Sequence, residues 1–192
     1  MTRIGVYGGT FDPVHVAHLV VATEVRHVLG LDRVLLVPAG DPWQKAGRVV
    51  ASKEQRLEMV AAAVDSIEGI DACSLEVDRS GPSVTADTLE ALAEPDRELF
   101  LILGADAAAN MGTWRRLTET RDLATVVVVE RDGEHADPPA PGWRFVHVPI
   151  PRLDISSSNI RARVAAGRPI DGLVPEPVVR SIRERHLYTA GL

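Results

Sequence analysis

His15 and His18 stand three residues apart, directly after the run Gly8-Gly9-Thr10-Phe11-Asp12-Pro13. Residues at that spacing face the same way on a helical turn, so both imidazoles would project together. The start of a helix exposes free backbone N–H groups and the positive end of the macrodipole, both of which favour an anion. Two imidazoles there can donate to phosphate oxygens, more strongly when protonated. Gly8 and Gly9 allow a sharp turn and a close approach of backbone to ligand. Asp12-Pro13 fits an N-cap with a first-turn proline, or a turn just ahead of the helix. The plainer alternative is that one histidine caps the turn and the other packs on a sheet. A pair placed straight after Gly-Gly favours the phosphate reading. A second run, Asp154-Ile155-Ser156-Ser157-Ser158-Asn159-Ile160-Arg161, offers hydroxyls at a helix start and a guanidinium on its first turn. Such hydroxyls cap the helix donors, and Arg161 can grip a phosphate bidentately, with Arg163 and Arg168 adding positive field. By itself this run reads equally well as a capped amphipathic helix with Ile160 and Val164 turned inward.

These residues need elements to hold them, and the chain alternates strand with helix. Apolar runs at Arg3–Tyr7, Arg33–Val37, Ile70–Val77, Glu98–Leu103, Ala124–Val129 and Arg144–Val148 predict strands. Helical periods lie at Val16–Leu29, after the capping-box pattern Ser52-Lys-Glu-Gln55, and at Thr85–Leu92. Asp106 to about Leu117 reads as helical with a break at Gly112, and two further helices fall near Ser157–Ala166 and Glu176–Leu187. Ala39–Val50 and the Pro- and Gly-rich Asp132–Gly142 read as loops. Alternation of this kind implies parallel crossovers, a doubly wound α/β sheet with helices on both faces. Ligands of such sheets sit beyond the strand carboxyl ends. Here those ends carry Gly8-Gly9, Pro38, Gly104-Ala-Asp106 and Glu130-Arg131.

Composition sets the outer bounds. The chain has 192 residues, 45% hydrophobic and 25% charged, enough for one domain with a real core and unlike a disordered chain. The net charge of −6 argues against nucleic acid and anionic membranes as partners. Much of the acidic excess falls in Glu54–Glu76 and Glu90–Glu98, away from His15, His18, Lys45 and Arg161, so a local positive cleft is compatible with it. The single cysteine, Cys73, excludes an internal disulfide framework and fits a reducing cytoplasm. No apolar stretch is long enough for a spanning helix. Gly8-Gly9-Thr10-Phe11 is not the Gly-x-Gly-x-x-Gly dinucleotide fingerprint, which weakens a dehydrogenase reading.

The first run resembles the nucleotidyltransferase superfamily signature Gly-Gly-Thr-Phe-Asp-Pro-x-His-x-Gly-His, departing from it at Ala17. The second resembles that superfamily's Ile-Ser-Ser-Thr-x-Ile-Arg, with Ser158 in place of the threonine. Within the superfamily the chain is similar to the bacterial nicotinate-nucleotide adenylyltransferases. Pro38-Ala-Gly-Asp-Pro-Trp-Gln-Lys45 resembles their lysine-ended loop. Gly81-Pro-Ser-Val-Thr85-Ala-Asp-Thr-Leu89 resembles their Pro-Ser-Tyr-Thr-x-Asp-Thr-Leu, with Val84 replacing tyrosine. Leu103-Gly-Ala-Asp106 followed by Trp114 resembles their Gly-x-Asp and tryptophan, with Leu117 where a second tryptophan is usual. Arg131 matches Ser-Arg-Pro at the arginine alone.

The resemblance implies a Rossmann-like fold, with one nucleotidyltransferase domain over residues 1–192 whose helices near 157–187 complete the ATP site. It implies adenylyl transfer from ATP to nicotinate mononucleotide in NAD biosynthesis, with Mg²⁺ accompanying ATP on mostly water ligands and no protein metal site. His15 and His18 would be catalytic. ATP would meet Gly8, Thr10, Phe11, His15, His18, Lys45, Asp106, Ser156, Ser157, Ser158 and Arg161. The mononucleotide would meet Gly9, Thr10, Thr85, Trp114 and Arg131, with the Trp114 indole stacked on the pyridine ring. A cytoplasmic homo-oligomer is the implied assembly. The alternatives are another small-molecule transferase, for nicotinamide mononucleotide or pantetheine phosphate, or a catalytically silent nucleotide-binding regulatory module.

Overall fold

The computed structural model describes residues 1–42, 50–130 and 142–189. Among them a parallel sheet of six strands runs in the order β3-β2-β1-β4-β5-β6. The strands are β1 (Thr2–Gly9), β2 (Arg33–Pro38), β3 (Ile70–Ala72), β4 (Arg97–Gly104), β5 (Ala124–Glu130) and β6 (Phe145–Pro149). The order reverses between β1 and β4, and the helices cross over on both faces, as expected. The register sets Gly9 beside Pro38 and Gly104 beside Val129, so the carboxyl ends of the central strands finish level.

Strand alternation divides the apolar residues between two cores. Phe100, Ile102, Val127 and Val129 turn to one face, where they pack with Val21, Val25, Met59, Val60 and Ile182 from helices α1 (Val16–Leu29), α2 (Lys53–Val64) and α8 (Glu176–Glu184). Leu99, Leu101, Leu103, Val126 and Val128 turn to the other, against Leu89, Leu92, Ala108 and Met111. Burial on both faces explains the near-continuous apolar runs in the sequence. α3 (Leu75–Asp78), α4 (Thr85–Leu92), α5 (Ala105–Ala109), α6 (Leu117–Leu123) and α7 (Ser157–Ala165) complete the described helices.

Two local expectations need correction, and one pair of alternatives is decided. The third strand ends at Ala72, because Ser74 begins a turn into α3 whose Glu76 and Val77 are buried. The segment after β4 is not one helix broken at Gly112. It is α5, a short 3-10 turn at Met111–Thr113, an extended Trp114 and then α6, which starts after Arg116 in left-handed geometry at φ 56°. Of the two readings of Asp12-Pro13, the structure shows the turn just ahead of α1; the N-cap is His15. Among the described residues no helix is long and apolar enough to cross a membrane.

Candidate active site

The carboxyl ends of β1, β2 and β4 open into a cavity of about 180 Å³. Its floor is apolar, from Val6, Val37, Leu101, Leu103 and Ala107. Its walls are Gly8, Gly9, Thr10, Ser83, Thr85, Thr88, Glu76 and the half-buried Trp114. Thr85 is the first residue of α4, whose N-cap, Val84, makes no side-chain cap bond. The helix therefore starts without a side-chain cap and opens onto the cavity wall. The Ser83 hydroxyl is buried with no hydrogen-bond partner among the described residues.

The glycines at the end of β1 do different work. A Cβ on Gly9 would come 2.9 Å from the Phe11 ring, so any side chain there would have to displace that buried ring. A Cβ on Gly8 would meet nothing within 4 Å, which leaves room at the cavity rim. Trp114 and α4 are tied together by Arg116, which pairs with Asp87, with Glu90 at 2.5 Å and with Glu119 at 3.2 Å. The hydrogen bonds to Glu90, Asp87 and Glu119 hold the Arg116 guanidinium above its ordinary range.

Next to the cavity, at the start of α1, lie the two histidines. The His15 N–H donates to His18 Nδ1 at 3.2 Å, closing a histidine version of the capping box. A neutral imidazole with an accepting Nδ1 carries its hydrogen on Nε2. The rings stack, with centroids 3.6 Å apart at 22°. Phe11 presents its ring edge-on to His18 at 4.9 Å and is itself only 2% exposed. The Phe11 side chain therefore belongs to the core and braces His18.

The C-terminal run closes onto the same turn. Ser156 caps α7, accepting from the Asn159 N–H at 3.2 Å. The Ser157 hydroxyl donates to the Pro13 carbonyl at 2.9 Å, and Arg161 Nη1 donates to the Asp12 carbonyl at 2.8 Å. Arg161 Nη2 lies 3.4 Å from the Ser158 hydroxyl. Residues far apart in the chain thus meet at one strand end, with a cation and hydroxyls around the histidines. Asp106 is exposed on the first turn of α5, outside the cavity lining. Lys45 and Arg131 lie outside the described residues.

Two charged groups outside the expected ligand contacts hold this turn. Asp12, 2% exposed, accepts from the Val50 N–H at 2.8 Å, the Ala51 N–H at 3.1 Å and the Tyr188 hydroxyl at 2.8 Å. Burial first, and then the Asp12 carboxylate, push the Tyr188 phenol well above its ordinary range. Arg56, 1% exposed, donates to the carbonyls of Thr10 at 2.7 Å, Ala39 at 2.6 Å and Ala51 at 3.4 Å. Burial lowers its affinity for the proton, and Asp12 partly offsets that. A signal for Arg56 was present: it heads the buried stripe Arg56, Met59, Val60, Ala63 and Val64 of α2, a lone cation on an apolar face. Tyr188 gave no such signal, because only the fold brings it to Asp12.

Sheet order, a ligand cavity at the strand reversal and an anion-directed histidine pair beside it define the class, an α/β nucleotide-binding transferase. Comparison with known proteins narrows this. The chain belongs to the cytidylyltransferase-like family, whose pattern matches residues 6–163, and within it to the nicotinate-nucleotide adenylyltransferases. A "Probable nicotinate-nucleotide adenylyltransferase" of Corynebacterium kroppenstedtii is 48% identical, with 97% of this chain and 90% of the relative covered. One of the same description from Roseiflexus sp. is 46% identical over 96% and 97% of the two chains. Among solved structures, Plasmodium falciparum nicotinic acid mononucleotide adenylyltransferase complexed with NaAD superposes with a TM-score of 0.81 over 98% of both chains at 20% identity, a likeness of fold.

Proposed function

We propose that the protein transfers the adenylyl group of ATP to nicotinate mononucleotide, giving nicotinate adenine dinucleotide and pyrophosphate, a step in NAD biosynthesis. The observation that carries this is the juxtaposition at the end of β1. A cavity with an aromatic wall, suited to a flat acceptor, shares Gly8, Gly9 and Thr10 with the turn that leads into the histidine pair. In the reaction an acceptor phosphate oxygen forms a bond to the α-phosphorus as the bond to the bridging oxygen breaks, and pyrophosphate leaves. The attacking oxygen is already anionic, so alignment and charge neutralisation do the work and no general base is needed.

In this reading the His18 Nε2–H, His15 and Arg161 neutralise the phosphates of ATP, while Ser156, Ser157 and Ser158 line the path of its outer phosphates. Thr85 and Trp114 hold the pyridine end of the acceptor. Lys45 and Arg131 remain candidates for ATP and the mononucleotide respectively. Mg²⁺ would arrive as part of the ATP substrate, on mostly water ligands. A homo-oligomer acting in the cytoplasm completes the proposal. The test is a pyrophosphate-release assay with ATP and, side by side, the acid and amide mononucleotides. The reading expects turnover with the acid favoured; no release with either would refute it, and preference for the amide would reassign the acceptor.

A further inference from the structure

Glu76 is a buried acid in the wall of an otherwise apolar and hydroxyl-lined cavity, and the reaction described above gives it no task. It is 9% exposed. Its Oε1 accepts from the Thr88 hydroxyl at 2.7 Å, and that hydroxyl in turn accepts from Arg79 Nη2 at 3.2 Å. Arg79 therefore stands one hydroxyl away, and Glu76 makes no ion pair with any described residue. The acid is also held in place from behind. A Cβ on Gly40 would come 2.0 Å from the Glu76 carbonyl oxygen, so the chain after β2 lies directly on it.

A buried carboxylate without a directly opposed cation is costly unless something else supplies the charge. The acceptor can supply it. In a pyridine mononucleotide the ring nitrogen is quaternised by its bond to ribose and carries a permanent positive charge. The opposite demand is met in the same cavity, where the uncapped start of α4 at Thr85 favours an anion. An acid on one wall and a helix N-terminus on another suit a zwitterionic ring, and the Trp114 indole adds a face that attracts a cation.

We propose that Glu76 is a specificity-determining residue whose carboxylate supplies the counter-charge for a cationic, quaternised pyridine ring in this cavity. The proposal rests on the reading of the cavity as the acceptor site. It makes the positive ring, and not only the flat shape, a condition of recognition. Neutral-ring analogues of equal size should be poor acceptors.

The test compares kcat/KM for nicotinate mononucleotide with that for its dihydropyridine form, which has the same carboxylate, ribose and phosphate but an uncharged ring. Both are measured with ATP on wild type and on Glu76→Gln. The glutamine keeps size and can still accept from Thr88, and circular dichroism checks the fold. The wild type should prefer the charged ring. In E76Q that preference should shrink at least about tenfold, the effect of losing one desolvated charge pair, through KM for the charged acceptor, with KM for ATP unchanged. An equal loss for both acceptors would mean a packing role and overturn the proposal, as would an unchanged ratio. If E76Q does not fold, Glu76→Asp, which withdraws the charge by one methylene, must also narrow the ratio, and an unchanged ratio overturns the proposal. Failure of the wild type to use either acceptor would instead refute the acceptor-site reading itself.

Discussion

Replacing Tyr188 by phenylalanine tests whether the C-terminal segment is bonded to the phosphate-facing turn or merely packed near it. The ring volume is preserved, so the change removes one hydroxyl and opens no large cavity. That hydroxyl donates at 2.8 Å to Asp12 Oδ1 and sits on a residue only 7% exposed. A hydrogen bond to a charged group contributes roughly 1.5–3 kcal/mol. Asp12 keeps the Val50 and Ala51 N–H groups, and Arg161 Nη1 lies 3.8 Å from its Oδ2, so it is not left orphaned. The expected loss is therefore near the lower end, about 2 kcal/mol. For a chain of this size each kcal/mol moves the melting temperature by about 2–4 °C, so Tm should fall by about 4–8 °C.

A second signature comes from alkaline titration. Burial raises the Tyr188 phenol above its ordinary value in the folded chain. In the unfolded chain it ionises near pH 10. Above about pH 10 the unfolded chain has therefore lost a proton that the folded chain keeps, and stability falls as pH rises, by up to about 1.4 kcal/mol per pH unit. Phenylalanine lacks this loss, so the stability gap between wild type and Y188F should close at high pH. Burial also raises the Cys73 thiol, which adds an alkaline loss common to both proteins that cancels in the difference. Urea unfolding of both proteins between neutral pH and pH 11 would show it. A gap under about 0.5 kcal/mol at neutral pH, or one that stays constant into alkali, would refute the bonded-turn argument.

Other substitutions probe the two halves of the site. His18→Ala should fold normally yet lose roughly 10²-fold in kcat, the scale of removing one transition-state donor; near-normal turnover in steady-state kinetics would reject that role. Trp114→Ala should raise KM for the mononucleotide while leaving KM for ATP unmoved, and a change confined to ATP would reverse the assignment. Arg56→Ala would strip a donor from the Thr10, Ala39 and Ala51 carbonyls and leave Asp12 without its buried counter-charge, a loss of about 3–5 kcal/mol measurable by urea unfolding. Gly40→Ala must push the Glu76 backbone away from a 2.0 Å contact, at a cost of about 1–3 kcal/mol and with a raised acceptor KM.

What could be read from the residues alone follows the range of the forces involved. The strands were legible because burial on both faces writes an apolar run into each. The capping box at Ser52 was legible because its partners are three residues apart, and the Gln55 side chain does return to the Ser52 N–H at 2.9 Å. The α5–α6 region misled because its boundaries depend on tertiary packing. Met111 is fully buried against the sheet, and Arg116 is held at positive φ by carboxylates of α4. The packing of Phe11 was not legible because motif membership does not say which way a side chain turns. Its ring serves Gly9 and His18 from within the core.

The same network bears on how an acidic chain would hold the polyanions of the proposed reaction. Cations are not simply concentrated near the site; the fold decides which of them are used up. Arg56 spends its donors on four carbonyls inside the protein, and Arg116 is neutralised by three carboxylates at the surface. Neither can serve a phosphate. Arg161 is different. Asp12, the acid nearest to it, has its two oxygens already engaged by Val50, Ala51 and Tyr188, and Arg161 bonds the Asp12 carbonyl with Nη1 instead. The aspartate thus orients the arginine without fully pairing it, and on the proposed function the guanidinium would keep an edge for the phosphates. The balance that matters for binding is set by which acids the backbone and Tyr188 have already satisfied, and whole-chain charge does not register it.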